Sequence, residues 1–233
     1  MGMQSLEHDL LQQVKSYEQQ VLRNPIQCPF AICPRCHEHA PKFKLHEVIP
    51  RIYQVIAENE VHKIDSVIIR MKCLICLLTF RIYPDFAVPY KRYVLPNIMD
   101  LSSRYLEDDG QTYRQSVTED NAEFYHQQVP EGQEIPVLAH STLYRWITSL
   151  AGLVQTMACA LDIIKQKDPA TSIFRVLAAL TIPRKKYRSE ARKTKLLRCR
   201  TLLRVEKEFV RIFSMGAKKI SMFPDFATAL NWS

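Results

Sequence analysis

The sequence predicts an α+β protein that is mostly α, with a small cysteine-rich module towards the N-terminus and a basic helical C-terminal region. Three features support this prediction. Apolar residues recur every three or four positions along most of the chain, which is typical of amphipathic helices. Short apolar runs such as Val67–Ile69 and 80–83 flank two Cys-x-x-Cys pairs and indicate strands. Cations are concentrated in residues 183–211.

The periodic segments and the prolines divide the chain into four parts. Residues 1–24 form a predicted amphipathic helix that serves in packing or in a dimer contact, and residues 25–89 form the cysteine module. Residues 90–165 are predicted as helices with an inserted polar loop at 107–137, and residues 166–233 as a basic helical region. Individual helices are predicted over residues 6–22, 90–106, 111–117, 141–165 and 172–180, with Pro96 in a first turn and Ser141 as an N-cap.

The charge of the chain favours a polyanionic partner. Its formal net charge is +8 and its pI is about 9.1. Residues 183–211 hold twelve Lys or Arg against three Glu, so this segment carries +9 and the remainder −1. A basic surface of this kind attracts phosphates. The chain contains no run of 18 apolar residues, and its first residues are polar. We therefore expect a cytoplasmic protein with neither a membrane span nor a signal peptide.

Two cysteine pairs carry the most specific signal in the sequence. Cys33 and Cys36 form the first pair, Cys73 and Cys76 form the second, and 36 residues separate them. A two-residue spacer lets both thiolates of a pair reach one cation, and two pairs complete a tetrahedral Cys₄ site. The prediction is therefore one structural Zn²⁺ held by these four residues.

Other uses of the cysteines remain open at this point. Cys28, His37 or His39 could replace one of the four ligands. A redox pair is a weaker alternative because no βαβ pattern surrounds either motif. A catalytic zinc is disfavoured because four thiolates leave no coordination position for water. Cys159 and Cys199 fall on predicted helices and are expected to be buried or idle thiols.

A family resemblance extends from Cys33 to about Trp146. It rests on the two cysteine pairs, on the block from Arg70 through Thr79-Phe80 to Tyr83-Pro84-Asp85-Phe86-x-Val88-Pro89-Tyr90-Lys91-Arg92-Tyr93, and on Ser141-Thr142-Leu143-Tyr144-Arg145-Trp146. In these motifs the chain resembles a bacterial family of uncharacterised zinc-ribbon proteins that occur with transposons and are related to transposase N-terminal regions.

The resemblance implies a zinc ribbon followed by a helix-turn-helix, in a bacterial, nucleoid-associated protein that serves a mobile element. The chain departs from the family pattern at two places. His37 follows the first pair where a zinc knuckle usually has Gly, and the loop before Ser141 is long.

Three groups of side chains are candidates for nucleic-acid contact. Thr142, Tyr144 and Arg145 lie at the start of the predicted recognition helix, where side chains meet base edges. Lys91 and Arg92 alternate with tyrosines, which suits contact with phosphate and sugar. The third group is expected to bind the phosphate backbone and consists of Arg184, Lys185, Lys186, Arg188, Arg192, Lys193 and Lys195.

The leading hypothesis is a non-catalytic, zinc-dependent DNA-binding protein, an accessory or regulatory factor of a transposon, with RNA as an open alternative ligand. A homodimer and transposition partner proteins are further expected partners. The first alternative is a transposase or recombinase, for which Asp65, Asp100 and Asp162 are available acids, although no ribonuclease-H-like strand order is present. The second alternative is an assembly adaptor that binds other proteins through the zinc module.

Overall fold

The computed structural model describes residues 3–23, 27–28, 30–33, 35–39, 42–57, 60–119, 122–123, 125–126, 138–213 and 222–223. The fold is α+β and mostly α, as the sequence predicts. The helices and strands, in chain order, are α1 (Met3–Arg23), β1 (Phe43–Ala57), β2 (Glu60–Cys73), β3 (Thr79–Ile82), α2 (Leu95–Glu107), α3 (Tyr113–Ser116), β4 (Thr118–Glu119), β5 (Ala122–Glu123), β6 (Tyr125–His126), α4 (His140–Ala151), α5 (Val154–Lys167), α6 (Ile173–Ala178) and α7 (Glu190–Phe213).

The chain divides into two compact units. Unit 1 comprises residues 1–97, 124–137 and 225–233, and unit 2 comprises residues 98–123 and 138–224.

A long antiparallel hairpin organises unit 1. Strands β1 and β2 pair along their length, with Ala57 opposite Glu60 at the turn and Phe43 opposite Cys73 at the open end. Strand β3 adds to the other side of β2, and β6 pairs with β2 in parallel. The hairpin fills most of the interval between the two cysteine pairs. The interval between the two cysteine pairs is longer than in a usual zinc ribbon, but the hairpin occupies it, so the two pairs can still meet in one site.

Helix α1 covers the sheet with the apolar face that its spacing predicts. Leu10 and Val14 pack with Tyr53 and Ile68 in one buried cluster, and Val21 joins a second cluster that surrounds the β2–β3 pairing. Burial of such side chains provides about 1.5–3 kcal/mol each. The N-terminal helix is thus a packing element of unit 1.

The helix predicted from residue 90 begins only at Leu95. Tyr90 has a φ of 63°, which is incompatible with a right-handed helix. The following residues run along β1, where the Gln54 N–H donates to the Arg92 carbonyl at 2.8 Å. The edge of β1 supplies hydrogen bonds that an isolated sequence does not show. Pro96 lies in the first helical turn, as predicted.

Unit 2 is helical around α7, against which α4, α5 and α6 pack. The predicted helix over 141–165 is two helices, α4 and α5, with a bend of 56° at Gly152. Gly152 donates to the Ser149 carbonyl at 3.1 Å, a tight closure typical of a helix end. Helix α4 begins at His140, and its N-cap is Ala139, two residues before the predicted N-cap Ser141.

The remaining helical predictions differ mainly in their boundaries. Helix α3 has a capping box in which Thr112 and Gln115 hydrogen-bond to each other's backbone. The basic run begins as a 3₁₀ turn at Arg184–Lys186, and α7 begins four residues later. The part of the predicted loop 107–137 that follows His126, residues 127–137, lies outside the described residues. Among the helices that the structure describes, no single one is long and apolar enough to cross a membrane, and α4 and α5 meet that criterion only as a bent pair.

Candidate metal centre and cationic surfaces

Four thiols meet at the open end of the β1–β2 hairpin. The Sγ atoms of Cys33, Cys36, Cys73 and Cys76 all lie within 4.8 Å of one another, and those of Cys33 and Cys76 are 3.9 Å apart. A tetrahedral ion with metal–sulfur bonds of about 2.3 Å requires sulfur atoms about 3.8 Å apart. The arrangement therefore fits a tetrahedral metal ion. Cys33 and Cys73 are fully buried, and the other two are half-buried.

The hairpin brings the two pairs together. Its last register position aligns Phe43 with Cys73, and the Leu74 N–H donates to the Lys42 carbonyl at 2.8 Å. The chain that leaves the first pair therefore returns beside the second pair. Apart from one register shift between Leu45 and Glu47, the ladder is paired from Ala57–Glu60 to Phe43–Cys73, and its open end adjoins the second pair.

The two cysteine turns share one backbone geometry. The Cys33 N–H donates to the Glu38 carbonyl at 3.2 Å, and the Cys73 N–H donates to the Leu78 carbonyl at 3.0 Å. The residue after the second cysteine is left-handed in both turns, with φ of 58° at His37 and 62° at Leu77. This conformation favours Gly. His37 thus adopts a conformation that usually favours Gly, without being Gly.

Backbone amides and the neighbouring thiols set the acidity of the cluster. Amide donation from Cys76, with a further amide from Ile75, lowers the pKa of Cys73 to about 7, although burial of the thiol opposes this shift. The Glu38 amide lowers the pKa of Cys36, but burial and the other three thiols raise it to about 12. Cys73 therefore loses its proton before Cys36 does. A dication at the centre would replace the remaining protons, since thiolates and not thiols are the metal ligands.

The alternative ligands lie apart from the four-thiol group. His37 and His39 are exposed, and Cys28 packs against the apolar cluster that contains Val21 and Phe80. In the part of the chain that the structure describes, only the four cysteines form a group of three or more side chains suited to one ion. Cys199 is buried, which raises the pKa of its thiol, and Cys159 is exposed on α5.

The second cysteine turn exposes a row of large apolar side chains that the sequence analysis did not single out. Leu74, Ile75, Leu77 and Leu78 have exposed fractions between 42% and 61%. Their adjacency in the sequence, directly around Cys76, was the available signal. Clustered exposed apolar residues are typical of interaction surfaces.

Helix α4 presents its predicted polar residues as the sequence suggests. Leu143, Trp146, Ile147 and Leu150 are buried, whereas Arg145 is exposed and Thr142 is half-buried. Among the described residues, the Arg145 guanidinium has no hydrogen-bond or ion-pair partner. Tyr144 is half-buried, and its ring meets that of Tyr113 edge-on at 6.2 Å.

Lys91 and Arg92 lie in unit 1, on the extended segment beside β1. The Arg51 guanidinium donates to the Lys91 carbonyl at 2.9 Å, which fixes the backbone there. Arg92 and the preceding Tyr90 are exposed. The segment therefore holds a cation and an aromatic ring on the surface from a rigid backbone.

The structure separates the cations of the basic run into two kinds. Lys186 is buried, and its ammonium donates to the carbonyls of Tyr105, Asp108 and Gln111 around the C-terminal end of α2. Arg192 donates to the Tyr113 hydroxyl at 2.9 Å and lies over the rings of Tyr113 and Tyr144. Lys186 and Arg192, which were predicted to contact phosphate, are thus engaged in contacts within unit 2.

The other five candidate cations, Arg184, Lys185, Arg188, Lys193 and Lys195, are more accessible. Arg184 donates to the Tyr187 carbonyl at 2.8 Å, and Lys193 forms an exposed ion pair with Glu190 at 3.3 Å. Lys185, Arg188 and Lys195 are exposed, and the described residues offer them no hydrogen-bond or ion-pair partner. Arg198, which the sequence analysis did not select, has the same properties. No sequence feature distinguishes Lys185 from the buried Lys186.

The acids considered for a transposase centre are dispersed. Asp65 is exposed on β2 in unit 1, Asp162 is exposed on α5 in unit 2, and Asp100 pairs with Arg104 at 3.0 Å within α2. None of them belongs to a metal-binding group of three or more ligands among the residues that the structure describes.

One protein family matches part of the chain. Residues 33–146 match a domain of unknown function (DUF6431). The match covers just under half of the 233 residues, from the first metal-site cysteine to the middle of α4. It excludes the basic run and α7. No curated protein and no solved structure matches the chain.

Proposed function

We propose that the chain is a non-catalytic, zinc-dependent DNA-binding protein in which a zinc ribbon stabilises unit 1 and a helix-turn-helix in unit 2 contacts DNA. Zn²⁺ is the ion best suited to four thiolates in tetrahedral geometry. With no open position for water, the ion would serve folding and not catalysis. Its residues are Cys33, Cys36, Cys73 and Cys76.

Within unit 2, α2, α3 and α4 are the elements of the proposed helix-turn-helix. Helix α3 packs against α4, and the capping box at Thr112 fixes its start. Helix α4 is the proposed recognition helix, since its apolar face is buried and Arg145 and Thr142 lie near its N-terminus. The inserted segment between α3 and α4 makes this an unusual member of the motif, in which the connecting turn is normally three or four residues.

The observation that carries the proposal is the contrast between engaged and unengaged cations in unit 2. Lys186, Arg192 and Lys207 are engaged by carbonyls, a tyrosine hydroxyl or Glu107. Arg145, Lys185, Arg188, Lys195 and Arg198 are exposed and have no partner among the described residues. Exposed unpaired cations at this density favour a polyanionic ligand.

The wider role follows from the family resemblance. A bacterial, nucleoid-associated protein of this kind would be an accessory or regulatory factor of a transposon and would act with transposition proteins. The test of that role is the set of genes beside its own. A transposase adjacent to it would support the assignment, and its consistent absence across bacterial genomes would argue against it.

DNA binding is tested by fluorescence anisotropy with random-sequence duplexes across a salt series. We expect affinity to fall steeply as salt rises. The Lys195→Ala/Arg198→Ala variant should lose up to about 1.8 from the slope of log affinity against log salt, at about 0.9 for each lost contact. The control Lys165→Ala/Lys167→Ala removes two exposed charges at the end of α5 and should retain the slope. Equal slopes in both variants would refute the phosphate-binding role of α7.

Sequence readout by α4 needs a separate experiment. A preferred duplex is first selected from a random pool, and Arg145→Ala is then compared with the parent on that duplex and on an unrelated one. We expect a loss of about 1–3 kcal/mol on the preferred site only. The same loss on both duplexes would assign Arg145 to phosphate contact. Matched RNA duplexes in the same assay decide between DNA and RNA.

A second candidate function, an assembly adaptor, is favoured by the apolar row on the second cysteine turn. In this case Leu74, Ile75, Leu77 and Leu78 would bind another protein. Changing Ile75 and Leu78 to Ser should then abolish binding to a partner found by co-purification but leave DNA binding intact. If the chain binds no nucleic acid at any salt concentration, this result favours the adaptor function over DNA binding.

A further inference from the structure

Unit 2 contains a cavity of about 440 Å³ beside the proposed recognition helix. Small-molecule sites commonly have volumes of about 300–1,000 Å³. The C-terminal end of α2, the N-cap of α3, the 3₁₀ turn and the start of α7 surround it. Its lining residues are Tyr105, Asp109, Gly110, Gln111, Thr112, Tyr113, Lys185, Lys186, Tyr187, Arg188 and Arg192.

The lining is strongly positive. It contains four cations and one carboxylate, a net charge of +3. The carboxylate belongs to Asp109, which lies 3.9 Å from the Arg200 guanidinium and so has a counter-charge outside the lining. Lys185 and Arg188 are exposed and are unengaged within the described chain. They are therefore the groups that can bind an incoming anion.

One wall of the cavity is a prearranged stack of cations and aromatic rings. The Lys186 ammonium lies 4.1 Å from the centre of the Tyr105 ring, which stacks on Tyr113 at 4.1 Å. Arg192 continues the stack, 5.3 Å from the Tyr113 ring and 4.8 Å from that of Tyr144. The wall is thus held from α2, α3, α4 and α7 together, which favours a preformed site.

Tyr187 is a further aromatic residue in the lining of the cavity. The Tyr187 ring follows the 3₁₀ turn and is half-buried, with the Arg184 guanidinium 4.9 Å from its centre. Tyrosines and guanidinium planes are the groups on which nucleobases stack in proteins that bind unpaired nucleic acid. An inorganic anion would make no use of these walls and would fill little of the volume.

From the charge, the aromatic walls and the volume, we infer that the cavity binds a nucleoside phosphate. Lys185 and Arg188 bind the phosphate, and the sugar and base lie against the tyrosines. The inference deepens the proposed function and rests on it, because a nucleoside phosphate is the repeating unit of the proposed ligand. Its source is either an unpaired nucleotide at the end of a nucleic-acid strand or a free nucleotide.

The test is isothermal titration calorimetry of the full chain with dAMP, deoxyadenosine and inorganic phosphate as separate probes. We expect dAMP to bind at least about tenfold more tightly than either fragment, since the phosphate and the base each contribute. Equal binding of dAMP and inorganic phosphate would overturn the inference, because the aromatic walls would then contribute nothing. Equal binding of dAMP and deoxyadenosine would overturn it as well.

The variants locate the site. Lys185→Ala/Arg188→Ala should weaken dAMP binding about tenfold or more, whereas the control Lys165→Ala/Lys167→Ala should bind dAMP like the parent. Tyr187→Leu should weaken dAMP binding about tenfold but leave phosphate binding unchanged. All altered side chains except Tyr187 are exposed, and circular dichroism melting verifies that each variant is folded. If the two double variants bind dAMP with the same affinity, the assignment of dAMP to this cavity is wrong.

Two further titrations separate the sources and the two proposals. A 5′-phosphorylated single strand that binds more tightly than both dAMP and the same strand without its phosphate identifies a strand end as the ligand, whereas tighter binding of dAMP identifies a free nucleotide. If duplex DNA binds but dAMP and the single strand do not, the cavity inference is wrong and the proposed function stands. If none of the three binds, both are wrong.

Discussion

Replacing Lys186 with Met should destabilise unit 2, although the sequence places this residue in a run of phosphate-binding candidates. The side chain is only 6% exposed, and its ammonium donates to carbonyls of Tyr105, Asp108 and Gln111. These carbonyls lie at the C-terminal end of α2 and in the turn that follows it, where helix carbonyls lack partners and the helix dipole favours a cation. Lys186 therefore caps the helix.

The size of the effect follows from the contacts. A hydrogen bond from a charged donor contributes about 1.5–3 kcal/mol. The bond to Asp108, at 2.7 Å, has an ordinary length, and the carbonyls of Tyr105 and Gln111 are further acceptors. Burial of the ammonium opposes them, and this desolvation lowers the pKa of Lys186. Met retains most of the packing volume of the Lys stem. We expect a net loss of about 2–4 kcal/mol in the free energy of unfolding.

The assay is urea denaturation followed by circular dichroism, with Lys185→Met as the matched control. Lys185 is adjacent and exposed, so its replacement should change stability by less than about 0.5 kcal/mol. If the two variants have the same midpoint, the capping role is wrong. The result also bears on DNA binding, because a loss of affinity in any variant that lacks Lys186 would reflect unfolding and not a missing phosphate contact.

Three further predictions concern the metal centre and the acid stability of unit 2. The purified chain should contain one zinc ion, and Cys73→Ser should lose this ion and unfold unit 1. The control Cys159→Ser changes an exposed thiol and should leave the metal content and the melting temperature unchanged. Leu77→Gly should stabilise the protein by about 0.5–1 kcal/mol because φ is 62° there, and Leu78→Gly should not; equal effects on the melting temperature would contradict this explanation. Arg211 holds the pKa of Glu208 down to about 2. The ion pair therefore stabilises the fold by about 1 kcal/mol after allowance for solvent screening. This stabilisation is present above the usual carboxyl pKa and is lost as pH falls towards 2. In Glu208→Gln, the loss of stability between pH 5 and pH 2 should therefore be smaller by about 1 kcal/mol, seen as a flatter plot of melting temperature against pH. An unchanged plot would exclude Glu208 as a source of acid sensitivity.

The four-thiol group illustrates what local sequence can predict. The two-residue spacing within each pair is a local pattern typical of metal sites, so the four cysteines are predicted without a structure. The structure was needed to separate them from the alternative ligands Cys28, His37 and His39. The same holds for α1 and for the buried face of α4, where helical periodicity alone separates buried from exposed positions. The sequence also indicated the strands at Val67–Ile69 and 80–83, because their apolar runs are local.

Long-range pairing decided the rest. The extent of the β1–β2 hairpin depends on which residues pair across the ladder, and the segment after Tyr90 is extended because β1 offers it hydrogen bonds. Lys185 and Lys186 are the clearest case, since adjacent identical residues differ in whether three distant carbonyls surround the ammonium. By itself, the sequence determined the four clustered cysteines, the helical faces and the sign of the charge, which depend on residue type and local spacing. Only the tertiary structure decided which cations are exposed to a ligand and which stabilise the fold, because that depends on contacts between residues some eighty positions apart.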